Sequence, residues 1–166
     1  MKIVVCASEV VPFAKTGGLA DVAGALSLAL EKLKQEAVII MPKYKGIQSR
    51  QGRDKIQKLK EDISFSVIGE NIKVYFIENE KFFDRNGLYG DKTGDYKDNL
   101  DRFSYYCKRT LELLKEIGFK ADIIHLHDWQ AALIPIYLKT LYLNDSFYKN
   151  VKTVLTIHNI GYQGLF

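Results

Sequence analysis

The sequence predicts an α/β protein built on a doubly wound, mainly parallel sheet. Two observations carry that expectation. Short β-branched runs that are apolar on both faces recur along the chain, as strands buried in a parallel sheet require. Amphipathic helical patterns alternate with them, which is the order of a sheet covered on both sides. The length of 166 residues suits one domain with a sizeable core.

The first run, Lys2 to Ala7, is followed by a loop with Pro12, Gly17 and Gly18. Leu19, Val22, Ala23, Leu26, Leu30 and Leu33 then recur at helical spacing, and Val38 to Met41 forms a second buried strand stopped by Pro42. This is a strand-loop-helix-strand unit. Tyr44 to Lys60, with Gly46 and Gly52, is polar and weakly periodic and reads as a surface excursion. Ile63, Phe65 and Val67, then Ile72, Val74 and Phe76, alternate with polar residues around Gly69-Glu70-Asn71, the pattern of a hairpin or of neighbouring strands.

Asn79 to Lys97 carries Gly87, Gly90 and Gly94 among Asp, Asn and Tyr, and a loop of that length points to function. Asp98 is placed to cap a helix through Leu100, Phe103, Cys107, Leu111 and Leu114 that ends at Gly118. Ile123 to Leu126 is the next buried strand. Asp128 is placed to cap the helix through Leu133, Ile136, Tyr137 and Leu141, with Pro135 kinking it or delaying its regular part. Val151 to Ile157 is the last strand. No helix follows it before Phe166, so the chain reads as a fragment of a longer protein.

Composition narrows the function. Apolar residues at 47% and charged residues at 27% exclude disorder and collagen-like structure. The net charge of +4 comes from scattered lysines, which gives no nucleic-acid platform and leaves a weak attraction for phosphorylated small molecules. Two cysteines, Cys6 and Cys107, make no disulfide framework. No apolar run reaches membrane-span length, and Met1-Lys2 leads straight into a strand rather than a secretory signal. A cytoplasmic protein with no membrane partner is expected.

Ligands of an open parallel sheet bind beyond the carboxyl ends of its strands. Those ends present Ser8 and Glu9 with Lys15-Thr16-Gly17-Gly18, then His127-Asp128-Trp129, then His158-Asn159. The Lys15 to Gly18 loop opens a helix, so its backbone N–H groups and one lysine form an anion site in principle. It is neither a dinucleotide fingerprint nor a Walker loop, since Lys15 precedes the glycines. The glycines fit equally a tight turn that needs their dihedrals. Asp21 compensates the helix dipole, orients Lys15 or meets a sugar hydroxyl. His125 and His127 share a strand face, and with His158 they approach metal-ligand spacing, although a core histidine with a satisfied ring is the commoner use of such a position. Trp129 fits packing better than a sugar platform, and Tyr89 fits a sugar stack or a loop anchor.

Several long motifs resemble bacterial glycogen synthases and plant starch synthases. They are Lys2 to Glu9, Pro12 to Val22, Gly87-Leu88-Tyr89-Gly90, Asp95 to Asn99 with Arg102-Phe103, His125 to Gln130, and Thr156 to Gly164. The resemblance runs through nearly the whole chain. It implies the N-terminal, Rossmann-like domain of a GT-B glycosyltransferase over residues 1–166, with a second nucleotide-binding domain elsewhere in the parent chain. It implies transfer of glucose, with retention, from ADP-glucose or UDP-glucose to the non-reducing end of an α-1,4-glucan. No cofactor and no metal are expected, and these residues alone are expected to be inactive.

Carried over by position, Lys15, Gly17 and Gly18 would hold the donor phosphates. His158 would lie beside the transferred glucose, and Asp128 would orient sugar hydroxyls. Glu9, Asp21, Tyr89 and Asn159 would line the glucose and acceptor side. Lys34-Gln35-Glu36 stands where many relatives place a Gly-His pair, which alters the helix stop, and Thr140 to Asn150 is a polar spacer. Two other classes remain at this stage: a non-catalytic nucleotide-sugar or glucan-binding module, and a metal hydrolase using His125, His127 and His158.

Overall fold

The structure, a computed structural model, describes residues 1–47 and 55–165, so Gly52 and Phe166 lie outside the described residues. Nine strands and four α-helices follow in order: β1 Lys2–Cys6, α1 Gly18–Lys32, β2 Glu36–Pro42, β3 Gln57–Lys60, β4 Ile63–Ile68, β5 Ile72–Ile77, α2 Glu80–Phe83, β6 Gly90–Asp91, β7 Gly94–Asp95, α3 Asn99–Glu116, β8 Ile123–His127, α4 Ile134–Lys139 and β9 Lys152–Thr156. Seven strands make one sheet in the order β3-β4-β5-β2-β1-β8-β9. The block β5-β2-β1-β8-β9 is parallel, and β4 and β3 add antiparallel at one edge. The mainly parallel expectation holds. Central β1 is buried from Ile3 to Cys6 and pairs on both sides, Val4 with Val38 and with Ile124.

From β1 the chain winds first to β2 and later returns to β8 on the other side. The gap beyond the carboxyl ends of β1 and β8 is therefore the topological switch point, the place where α/β sheets bind ligands. No helix among the described residues is long and apolar enough to cross a membrane.

Several elements depart from expectation for physical reasons. Helix α1 buries Leu19, Ala20, Ala23, Gly24 and Ser27, while Val22 and Leu33 are exposed. The buried stripe is the small-residue one, because α1 lies against the loop before it: a Cβ on Gly24 would sit 3.2 Å from the Val11 carbonyl oxygen. Strand β3 falls within the expected excursion, because Gln57 to Lys60 is exposed throughout and carries no apolar alternation. Its lysines suit a sheet edge, where charge discourages further pairing.

Neither predicted aspartate cap forms. Asp98 stands at the start of α3, but its carboxylate takes the Arg85 guanidinium at 2.7 and 2.6 Å and makes no cap bond. Asp128 also makes no cap, since its carboxylate turns to the His158 backbone. Pro135 does delay the helix after it. A single 3₁₀ turn, Trp129–Ala131, comes first, and α4 stops at Lys139, leaving Leu141 exposed. The spacer after α4 is pinned by buried Tyr148, whose hydroxyl donates to the Leu111 carbonyl.

Two helices stop in the same way. In α3, Gly118 takes φ +66°, and the Phe119 and Gly118 N–H groups bond the Leu114 and Lys115 carbonyls at 2.9 and 3.1 Å. In α1, Lys34 takes φ 57°, and the Gln35 and Lys34 N–H groups bond the Leu30 and Glu31 carbonyls at 3.0 and 2.8 Å. Both are Schellman stops, and only the second lacks glycine at the left-handed position. Lys34→Gly relieves that conformation and is expected to raise the unfolding free energy by up to about 1 kcal/mol, read as a higher urea midpoint at unchanged slope.

Candidate functional site

A cleft of about 830 Å³ opens at the switch point. Glu9, Gly17, Gly18, Tyr89, Asp128, His158 and Asn159 all line it, joined by Thr16, Val22, Asp95, Trp129 and Gln130. Residues Gly161 to Leu165 form its far wall, and Gly164 lies on the Trp129 ring, where a Cβ would come within 3.0 Å. Lys15 and Asp21 are not in the lining. They pair with each other at 2.7 Å on the adjoining rim, each side chain about half exposed.

Glu9 is the anchor of the glycine loop. It is 3% exposed, and its carboxylate accepts from the Thr16 N–H, the Thr16 hydroxyl at 2.6 Å, the Gly17 N–H at 3.3 Å and the Tyr89 hydroxyl at 2.6 Å. Because the Tyr89 proton goes to Glu9, Ser8 Oγ must be the donor in its 2.7 Å bond to the Tyr89 oxygen. The Thr16 and Gly17 N–H groups are thus taken by an internal carboxylate. The open donors lie one step on, at the uncapped start of α1, where Gly18 and Leu19 face the cleft.

The two glycines are not explained by a turn. Gly17 has φ −148° and ψ −165°, extended backbone open to any residue, and a Cβ on either Gly17 or Gly18 meets nothing within 4 Å. Their contribution is free space at the loop surface. By contrast, Gly87 and Gly90 are required: a Cβ on either would stand 2.2 Å from a carbonyl oxygen, Gly90's and Gly94's respectively. They close the tight loop that presents Tyr89. Fully buried Arg102 fixes the same loop by donating to the Phe82 and Leu88 carbonyls at 2.7 and 2.9 Å, and Asn99 holds the Tyr89 carbonyl at 2.8 Å. Arg102 and Thr16 were missed as site builders. Both stood inside the matched motifs, but a polar residue within an amphipathic helix or a loop gives no sign of what it will hold.

Asp128 carries φ 58° and ψ −173°, a conformation that costs a non-glycine residue about 1–3 kcal/mol. Two bonds hold it there: its N–H donates to the Thr156 carbonyl at 2.9 Å, and its carboxylate accepts the His158 N–H at 2.6 Å. The ends of β8 and β9 are tied together at that point. Asn159 then turns the chain over the cleft by accepting the Gly161 N–H at 2.9 Å.

The three histidines stack. The His125 and His127 rings lie 4.4 Å apart at 28°, and His127 and His158 lie 5.2 Å apart at 18°. His127 Nδ1 meets His158 Nε2 at 2.8 Å, and His125 Nε2 meets the Thr156 hydroxyl at 2.7 Å. Two nitrogens on one tetrahedral zinc stand about 3.3 Å apart, so 2.8 Å is a hydrogen bond. No group of three or more His, Cys, Asp or Glu among the described residues is arranged to hold a metal ion. Trp129 both packs, edge-on to Phe103 at 4.9 Å, and lines the cleft.

Burial, with repulsion from the two other rings, pushes the His127 imidazole down to about 3, and burial lowers His125 as well. The unfolded chain therefore binds more protons than the folded one below the ordinary histidine value. Stability is retained above about pH 6.5 and declines as pH falls toward 3. Between pH 7.5 and 5.5 the unfolding free energy is expected to drop by about 1 kcal/mol, and His127→Asn should flatten that decline in denaturant titrations.

The family profile described as the starch synthase catalytic domain matches residues 2–166. Glycogen synthase of Syntrophotalea carbinolica is 44% identical over 176 residues, covering all of this chain and 36% of that protein. Glycogen synthase 2 of Geobacter sulfurreducens is 43% identical over 179 residues with the same coverage. The chain thus spans about a third of the length of these relatives. The catalytic domain of starch synthase IV from Arabidopsis thaliana, solved bound to ADP and acarbose, superposes with a TM-score of 0.85 at 35% identity, over 98% of this chain and 34% of that one. Sucrose-phosphate synthase from Thermosynechococcus elongatus superposes at 0.58 with 13% identity and shares the fold alone.

The open space at the glycine loop makes a direct test that no turn requires these glycines. Gly18→Ala places a methyl at the first helical position, in free space. It is expected to stabilise the chain by about 0.5 kcal/mol in thermal unfolding, since it restricts the unfolded chain and meets nothing in the folded one.

Proposed function

Because the chain belongs to the starch synthase catalytic domain family, and its sheet is the Rossmann-like N-terminal domain of the GT-B fold, we propose that its protein is a glucosyltransferase of glycogen or starch synthesis. It transfers glucose, with retention, from ADP-glucose or UDP-glucose to the non-reducing end of an α-1,4-glucan. The observation that carries the reading is the convergence of an uncapped helix start, an open glycine loop and the His158 ring on one cleft at the switch point.

In this reading Gly18 and Leu19 offer backbone N–H groups to the donor's phosphates, and Gly17 and Gly18 leave the room for them to approach. Lys15 adds a full charge from the rim. Its exchange of Asp21 for phosphate costs little, because an exposed ion pair contributes at most about 1 kcal/mol. Charge that gathers on the departing diphosphate is where fixed donors help the rate most. His158, Asp128 and Asn159 face the sugar, while Glu9 acts mainly by holding the loop and Tyr89 in place. The reading includes no resident metal or cofactor. The remainder of the protein supplies the other wall of the nucleotide site.

The test uses the full-length protein and both sugar nucleotides. Lys15→Ala and His158→Ala are each expected to lower glucosyl transfer by about a hundredfold or more, the first at unchanged melting temperature and the second at a somewhat lowered one, because buried His127 loses its partner. The 166-residue chain alone is expected to show no turnover. Undiminished transfer by the Lys15 variant removes the phosphate role assigned to it.

A further inference from the structure

We propose that His127 is a positioning residue that fixes His158 as its Nδ1–H tautomer. The observation behind this is an orphaned atom. His127 is fully buried, and its Nε2 has no hydrogen-bond partner among the described residues. Its Nδ1 lies 2.8 Å from His158 Nε2, so one of the two nitrogens carries a proton and the other a lone pair.

Two neutral arrangements satisfy that bond, and they differ in what they leave behind. If His158 donated from Nε2, His127 would carry its own proton on Nε2, a buried N–H with nothing to accept it. If His127 donates from Nδ1, its Nε2 is a buried bare lone pair. An unsatisfied buried donor is the rarer and costlier of the two. The neighbouring His125 ring does not change this choice, because its Nε2 pairs with the Thr156 hydroxyl. A doubly protonated His127 is disfavoured by burial between two other imidazoles.

His158 Nε2 is then an acceptor, and its proton stands on Nδ1. Of the two ring nitrogens only Nδ1 is left unpaired by the stack, and in a residue that lines the cleft it offers an N–H. Resting on the reading of the cleft as a sugar-nucleotide site, His158 meets an oxygen of the donor as a hydrogen-bond donor and has no ring lone pair with which to take a proton from an acceptor hydroxyl. That oxygen acceptor is the specificity this ring imposes.

The chain has three histidines, so long-range ¹H–¹⁵N spectra of the 166-residue protein are assignable by single replacements. In the unaltered chain His158 should show a protonated Nδ1 and a bare Nε2. His127→Phe keeps a ring in the stack but removes the donor, and should move the His158 tautomer ratio toward Nε2–H by about fivefold or more, the size of one net hydrogen bond. His127→Asn restores an N–H donor near the Nδ1 position and should return the ratio. A His158 proton on Nε2 in the unaltered chain overturns the proposal, as does an unchanged ratio in the Phe variant. If that variant fails to fold, the unaltered chain still decides. The readout needs no substrate, so failure of the transferase reading shows only in turnover and failure of this proposal only in the spectra.

Discussion

The Glu9 carboxylate is the joint on which the cleft depends. It lies at the end of the central strand, almost without solvent, and four donors from two other segments close on it. A buried carboxylate is tolerable only when its lone pairs are met, and here meeting them is what shapes the site. The Thr16 and Gly17 donors bend the glycine loop against β1. The Tyr89 donor draws in the long connection before α3, which Arg102 and Asn99 hold from behind. An internal anion thus occupies the loop's inner face and leaves its outer face to a ligand.

The opposite wall is held by a different device. Asp128 sits in a backbone conformation that glycine would take more cheaply, yet an aspartate is present. Its carboxylate crosses from β8 to the start of the chain after β9, so the strain and the tether belong to one residue. Glycine would relax the backbone and lose the link to His158. One wall is set by satisfying a buried charge, the other by over-determining a strained turn, and the ligand space lies between them.

Much of this was legible in the residues. The buried strands announce themselves because a strand covered on both faces has no polar alternation. Helix α3 ends at Gly118 as read, since a left-handed residue after an amphipathic run has few other uses. Strand ends gave the cleft residues, because topology fixes where such ends point. The capping aspartates were misread for the reason that carboxylates are versatile: Asp98 and Asp128 stand where caps stand, but a guanidinium and a distant N–H bind them instead. Helix α1 was rotated in the reading because hydrophobicity favours the larger residues, whereas close approach to the Val11 carbonyl selects the smallest. Strand β3 carried no signal, since an exposed edge buries nothing.

The sheet order divides labour across the molecule. In the seven-stranded sheet the strands that end at the cleft, β1, β8 and β9, belong to one flank, and the β3–β4 ribbon lies at the far edge beyond β5 and β2. Changes in the length or charge of that remote ribbon therefore reach the cleft only through β5 and β2. The far margin is thus mechanically insulated from the ligand space by two buried strands.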